Sequence, residues 1–184
     1  MPSRHDWIEA GLEALADGGE RALRVDPIAA ALRVTKGSFH HHFRGAGELR
    51  SAVLEAHERA QLVLVETITD ELDGMDASAA ITHLGALIAR LPDDRLERAV
   101  RAWAGTDAAA AAVQERVDGA RLAALEALWE HAVPAEHART AALVPLLAII
   151  GASASTVASR ADLEAVLGML AQLAAHVPEA VAKH

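Results

Sequence analysis

The chain has 184 residues, enough to bury a core without disulfides or a structural metal. It has no cysteine, which excludes a disulfide scaffold and a thiolate metal site. Its formal net charge of −9 by itself argues against nucleic acid. Hydrophobic residues make up 52%, mostly Ala, Leu and Val, and aromatics only 3%; Ala and Leu lose little on entering a helix, so an all-α fold is expected.

The first segment, about Ser3 to Ala16, sets Trp7, Ile8, Gly11, Leu12 and Leu15 on one helical face. Ser3 with Asp6 suits its N-cap and first turn, and Gly18-Gly19 ends it. A short helix follows from about Val25 to Leu32, with Pro27 tolerated in its first turn. Arg33-Val34 form a turn, and Thr35 is placed to cap a third helix, about Lys36 to His42. After Gly45-Ala46-Gly47 a long helix keeps Leu49, Val53, Leu54, His57, Gln61, Leu64 and Ile68 in helical register to about Leu72, and Gly74 closes it. Further helices are expected at about 78–90, 93–104, 107–131, 135–158 and 161–176, punctuated by Pro92, Gly105-Thr106-Asp107, Pro134 and Ser159. No stretch alternates with period two, so no sheet is expected. Between Arg139 and Arg160 no residue is charged, which approaches the length of a membrane span. Pro145, Gly151 and several Ser and Thr make a buried interface helix the better reading, with no membrane partner.

Charge is unevenly placed. Residues 1–50 hold seven bases and seven acids, so all of the −9 falls after residue 50. A neutral head on an acidic body suits a protein whose head alone meets an anion. Arg4, His5, Asp6 and Glu9 open the chain with no apolar run behind them, so no signal peptide is expected and the cytoplasm is the default.

The informative window is residues 25–43. Ile28, Ala29 and Leu32 face a core, Val34 packs in the turn, and Phe39 and Phe43, four apart, anchor the third helix. The opposite face is expected to offer Lys36, Ser38, His40 and His41 to solvent. In a helix-turn-helix the start of the second helix enters the major groove. Its free N–H groups favour phosphate.

On Ile28, Ala29, Val34, Thr35, Lys36, Gly37, Ser38, His41, Phe43 and Leu49 the chain resembles the TetR family over roughly residues 4–50. The resemblance implies a DNA-binding domain over residues 1–46 and a ligand-binding and dimerisation domain over 47–184, about nine helices in all. It implies a transcriptional regulator that represses as a homodimer on palindromic double-stranded DNA and is released by a small-molecule effector. DNA-contacting positions then fall on Arg24, Thr35, Lys36, Gly37, Ser38, His40 and His41. The chain departs from the family pattern at Arg33, usually Gly, at His40, usually Tyr, and at Ala46-Gly47, usually Lys-Glu. These departures motivate an alternative, a helical ligand-binding or interaction module with weakened DNA binding.

Other features yield less. Consecutive helical residues point about 100° apart, so His40-His41-His42 cannot converge on one metal ion. No phosphate loop, HExxH, Gly-x-Ser-x-Gly or nucleophilic cysteine is present, so no enzyme activity and no cofactor are expected. His83, Trp103 and Trp129 are candidate ligand-binding residues, with His131 and Met75 nearby in the sequence. The uncharged faces Leu143, Leu146, Leu147, Ile150 and Leu163, Val166, Leu167, Leu170 are the expected dimer seam.

Overall fold

The computed structural model describes residues 2–91, 94–130 and 132–175. His131 and Pro92 therefore lie outside the described residues. Among those residues the chain forms nine α-helices and no strand, as the composition and periodicity imply. They are α1 (Arg4–Gly18), α2 (Val25–Ala31), α3 (Lys36–Phe39), α4 (Ala46–Leu72), α5 (Ala77–Arg90), α6 (Arg95–Ala104), α7 (Ala108–Trp129), α8 (Ala135–Ala154) and α9 (Arg160–Ala174). A 3-10 turn at Glu20–Ala22, not foreseen, links α1 to α2.

Caps explain several of the boundaries. The Ser3 hydroxyl accepts from the Asp6 N–H at 3.2 Å, and the Asp6 carboxylate accepts from the Ser3 N–H at 2.6 Å. Gly19, at φ 67, ends α1 with its N–H on the Leu15 carbonyl. Asp107 accepts from the N–H groups of Ala109 and Ala110 at the start of α7. Ser159 and Asp162 repeat the reciprocal cap at α9. Helix α8 stops at Ala154, four residues before the expected end, because the Ser155 hydroxyl takes the N–H groups of Val157 and Ala158 into a local turn.

The chain divides into two compact units, Met1–Leu62 with Asp93–Val117, and Val63–Pro92 with Asp118–His184. The first unit thus reaches past the boundary at residues 46/47 expected from the sequence and takes in α6 and the start of α7. Its core gathers Trp7, Leu15, Leu23, Ile28, Phe39, Phe43, Leu49, Val53, Val100, Trp103 and Val117. Helix α1 packs on α6, and an Arg95–Asp17 ion pair ties the two. Gly11 brings α1 against α4: a Cβ there would stand 2.7 Å from Val53 Cγ2.

In the second unit α5 packs along α9. Ala77, Ala80 and Gly85 let the backbones approach, with Leu167 lying over Gly85 and the Ser78 hydroxyl donating to the Ala171 carbonyl at 2.9 Å. By length and composition alone, α8 would suffice to cross a bilayer. Here Ala138, Ala142, Pro145 and Leu146 are buried within the unit. Of the expected seam, Leu146, Leu163 and Leu167 belong to this internal core instead, while Leu147 and Val166 are exposed.

Candidate nucleic-acid interface

Helix α2 ends in a tight reversal that sets the direction of α3. Leu32 is the C-cap and Arg33 follows it in the left-handed region, at φ 57. The Arg33 N–H donates to Ala30 and the Val34 N–H to Ala29, each at 3.0 Å. This is the paired bonding of a Schellman end, with Val34 packed against the core one residue on. Arginine thus occupies a backbone position that glycine fills without strain.

Thr35 stands extended at the N-cap position of α3, although its side chain makes no cap hydrogen bond. Helix α3 proper spans four residues rather than reaching His42. Bonds from the N–H groups of His42 and Phe43 to the Phe39 carbonyl continue its sense as turns. At about 100° per residue, positions 38, 39, 42 and 43 share one arc, and 36, 37, 40 and 41 share the other. The inner arc is anchored by aromatic contacts. Phe39 meets Trp7 edge-on, with centroids 5.3 Å apart, and stacks on Phe43 at 5.2 Å. The Arg4 guanidinium covers Phe43 at 4.9 Å.

This geometry sorts the residues expected to contact DNA. Thr35, Lys36, Gly37, His40 and His41 are exposed, and so is Arg24 at the N-cap position of α2. Ser38 is not on the outer face: it lies beside Phe39 on the inner arc, 7% exposed, which corrects its expected presentation to solvent. A Cβ at Gly37 would meet only Thr35 Oγ1, at 3.6 Å, so nothing within the chain demands glycine there. Lys36 is not idle: its Nζ lies 3.0 Å from Asp26 Oδ1 and 3.3 Å from Oδ2. Arg24, Arg33 and Arg44 are exposed and form no ion pair among the described residues. In place of the Lys-Glu of the family pattern, Glu48 accepts from the Arg44 N–H at 2.8 Å and pairs with Arg4 at 3.7 Å.

One cluster escaped the sequence reading. His57 of α4 is 1% exposed in the first unit, with Nε2 3.6 Å from Glu97 Oε2. Glu97 Oε1 accepts from Arg101 at 2.7 Å and from Gln114 at 3.3 Å. Three helices thus contribute to one buried polar knot whose members lie up to 57 positions apart, beyond any local spacing rule. The candidate ligand residues do not share a core: Trp103 is buried in the first unit and Trp129 in the second. His83 is partly exposed and pairs with Glu71 at 3.7 Å. Met75 is exposed.

Residues 8–53 match the family described as bacterial regulatory proteins, tetR family. The transcriptional regulator AcuR of Cereibacter sphaeroides is 32% identical over a match covering 47% of this chain and 49% of that protein; the chain thus spans about half the length of the curated relative it matches. Among solved structures, a transcriptional regulator from Rhodococcus sp. Rha1 superposes with a TM-score of 0.72 at 20% identity, covering 94% of this chain and 95% of that one. A TetR transcriptional regulator from Legionella pneumophila gives 0.73 at 16% identity, covering 94% and 97%. At such identities these two are likenesses of fold.

Proposed function

We propose that the chain, whose residues 8–53 match the tetR family of bacterial regulatory proteins, is a sequence-specific DNA-binding regulator, a cytoplasmic repressor released by a small molecule. The observation that carries this reading is the outer arc of α3. Lys36, Gly37, His40 and His41 face outward from a helix locked from behind by Phe39 and Phe43, with exposed Arg24, Arg33 and Arg44 close by in sequence. Lysine and arginine supply sequence-independent attraction to phosphate, while imidazole edges at His40 and His41 reach bases. Binding is tested on operator duplexes selected from a random-sequence pool. Binding with a steep salt dependence is expected, and Lys36→Ala weakens it on every sequence and lowers the salt slope by about one phosphate's worth. A wild type that enriches no sequence would favour the alternative of a helical module with weakened DNA binding.

Homodimerisation on a palindromic operator is supported by two stripes in the second unit. Val144 and Leu147 of α8 lie three apart, and Val166, Met169 and Leu173 of α9 follow i, i+3, i+7. Leu147, Met169 and Leu173 are 60%, 65% and 62% exposed in the single chain. A two-fold pairing of these helices would cover both stripes. Leu147→Glu with Met169→Glu should yield a folded monomer in sedimentation, and a wild type already monomeric at micromolar concentration would exclude the pairing.

For the effector, Trp129 is the residue to probe, with His83 in the same unit and Trp103 as a separate candidate. The Trp129 indole N–H is buried without an acceptor among the described residues. Such a donor costs about 1–3 kcal/mol, which a ligand carbonyl or carboxylate oxygen would recover. Release further requires that the ligand prefer the conformer that does not bind DNA. A ligand screen read by thermal midpoint, repeated on Trp129→Phe, tests this: hits that shift both chains equally would remove the tryptophan from the site.

A further inference from the structure

We propose that Asp26 is a positioning residue that restrains DNA affinity by holding Lys36 away from the phosphate backbone; this rests on the DNA-binding reading above. Both oxygens of the Asp26 carboxylate face the Lys36 ammonium, at 3.0 and 3.3 Å. The pair joins the first turn of α2 to the first residue of α3 across the reversal at Arg33. Other acids of the same unit are engaged elsewhere: Glu20 with Arg50, Glu48 with Arg4 and Asp17 with Arg95. Asp26 is the acid committed to a cation of the outer arc.

A phosphate that takes up Lys36 competes with this carboxylate for the ammonium and then sits beside its negative charge. Each bound complex therefore weakens an ion pair that the free protein keeps intact. The pair is exposed, with side chains 60% and 70% accessible, so its hold is weak and reversible. It acts as a counter-charge that trims the sequence-independent part of binding, the part a genome full of competing sites makes costly. Base contacts are untouched by it, so the restraint falls equally on operator and on unrelated DNA.

The test compares wild type, Asp26→Asn, Lys36→Ala and the double variant on a selected operator duplex and on an unrelated duplex, across a salt series. Asp26→Asn keeps the side-chain shape at an exposed position and removes only the charge. It is expected to tighten binding about two- to fivefold on both duplexes, the range of an exposed ion pair. In the Lys36→Ala background the same substitution is expected to gain nothing. Unchanged or weaker binding by Asp26→Asn overturns the proposal. An equal gain with and without Lys36 also overturns it, because Asp26 would then act by its own repulsion of phosphate. If neither wild type nor Asp26→Asn binds either duplex at low salt, the DNA reading itself fails, a pattern distinct from a binding wild type with an inert Asp26→Asn.

Discussion

Replacing Glu97 by alanine should cut the first unit at its polar knot. The carboxylate accepts from Arg101 at 2.7 Å and from Gln114 at 3.3 Å, and lies 3.6 Å from the buried His57 ring. Removing one member of a buried charge pair leaves the other desolvated and costs about 3–5 kcal/mol when burial is complete. Here Glu97 keeps 12% and Arg101 20% of its side-chain exposure, so some solvation survives. A loss of about 2–3 kcal/mol is expected for alanine, and about 1–2 kcal/mol for glutamine, which keeps an acceptor but not the charge. Urea unfolding followed by tryptophan fluorescence reports on this, since Trp7 and Trp103 sit in the same unit as the knot. At a slope of about 1–1.5 kcal/mol per molar, the alanine midpoint should fall by about 2 M. Arg101→Ala in the same chain should cost less than it does alone, because its ion pair with Glu97 is already gone. A Glu97→Ala loss under about 0.5 kcal/mol, within the range of ordinary surface substitutions, would show that the knot is effectively solvated and refute the reasoning.

Arg33→Gly should raise stability by about 0.5–1 kcal/mol, since φ 57 strains any residue with a Cβ, and an unchanged thermal midpoint would mean the arginine offsets that strain. Gly11→Ala should cost about 1–2 kcal/mol, because the new Cβ meets the stiff Val53 side chain at 2.7 Å; a neutral effect would show that α1 and α4 separate freely. Glu58 is held below its ordinary range chiefly by hydrogen bonds from Arg116, one of them 2.8 Å long. A carboxyl depressed in the folded state adds stability that is present above its unfolded value, near 4.5, and lost as pH falls through the lower folded value. Glu58→Gln should therefore cost about 1 kcal/mol at neutral pH and flatten the acid limb of the stability curve, and parallel curves for the two chains would contradict the pairing.

Much of the fold was legible along the chain. The reciprocal cap at Ser3 and Asp6, the glycine stop at Gly18-Gly19, and the Phe39–Phe43 spacing are local devices, complete within a turn or two of helix. Local information suffices for them because caps and i, i+4 contacts depend on helical geometry alone. The family pattern, with its usual glycine at position 33, marks the same turn that the structure closes with Arg33 at φ 57. All but one of the residues expected to contact DNA are exposed. The exception, Ser38, was assigned to solvent as a small polar residue, yet the helical angle from Phe39 places it on the inner arc.

What the sequence left open depends on residues distant along the chain. The His57, Glu97, Arg101 and Gln114 knot needs three helices to meet. The Lys36–Asp26 pair spans a reversal whose tightness decides whether the two charges touch. The apolar faces of α8 and α9 were visible as apolar, but hydrophobicity cannot say which side packs inward. The structure gives Leu146, Leu163 and Leu167 to the unit's own core and leaves Leu147, Met169 and Leu173 outside. Likewise α6, remote from the first helices in sequence, belongs to their unit because α1 packs on it. Periodicity sets which residues share a helical face; only the packing of one helix on another decides which face is buried, and which charges meet there.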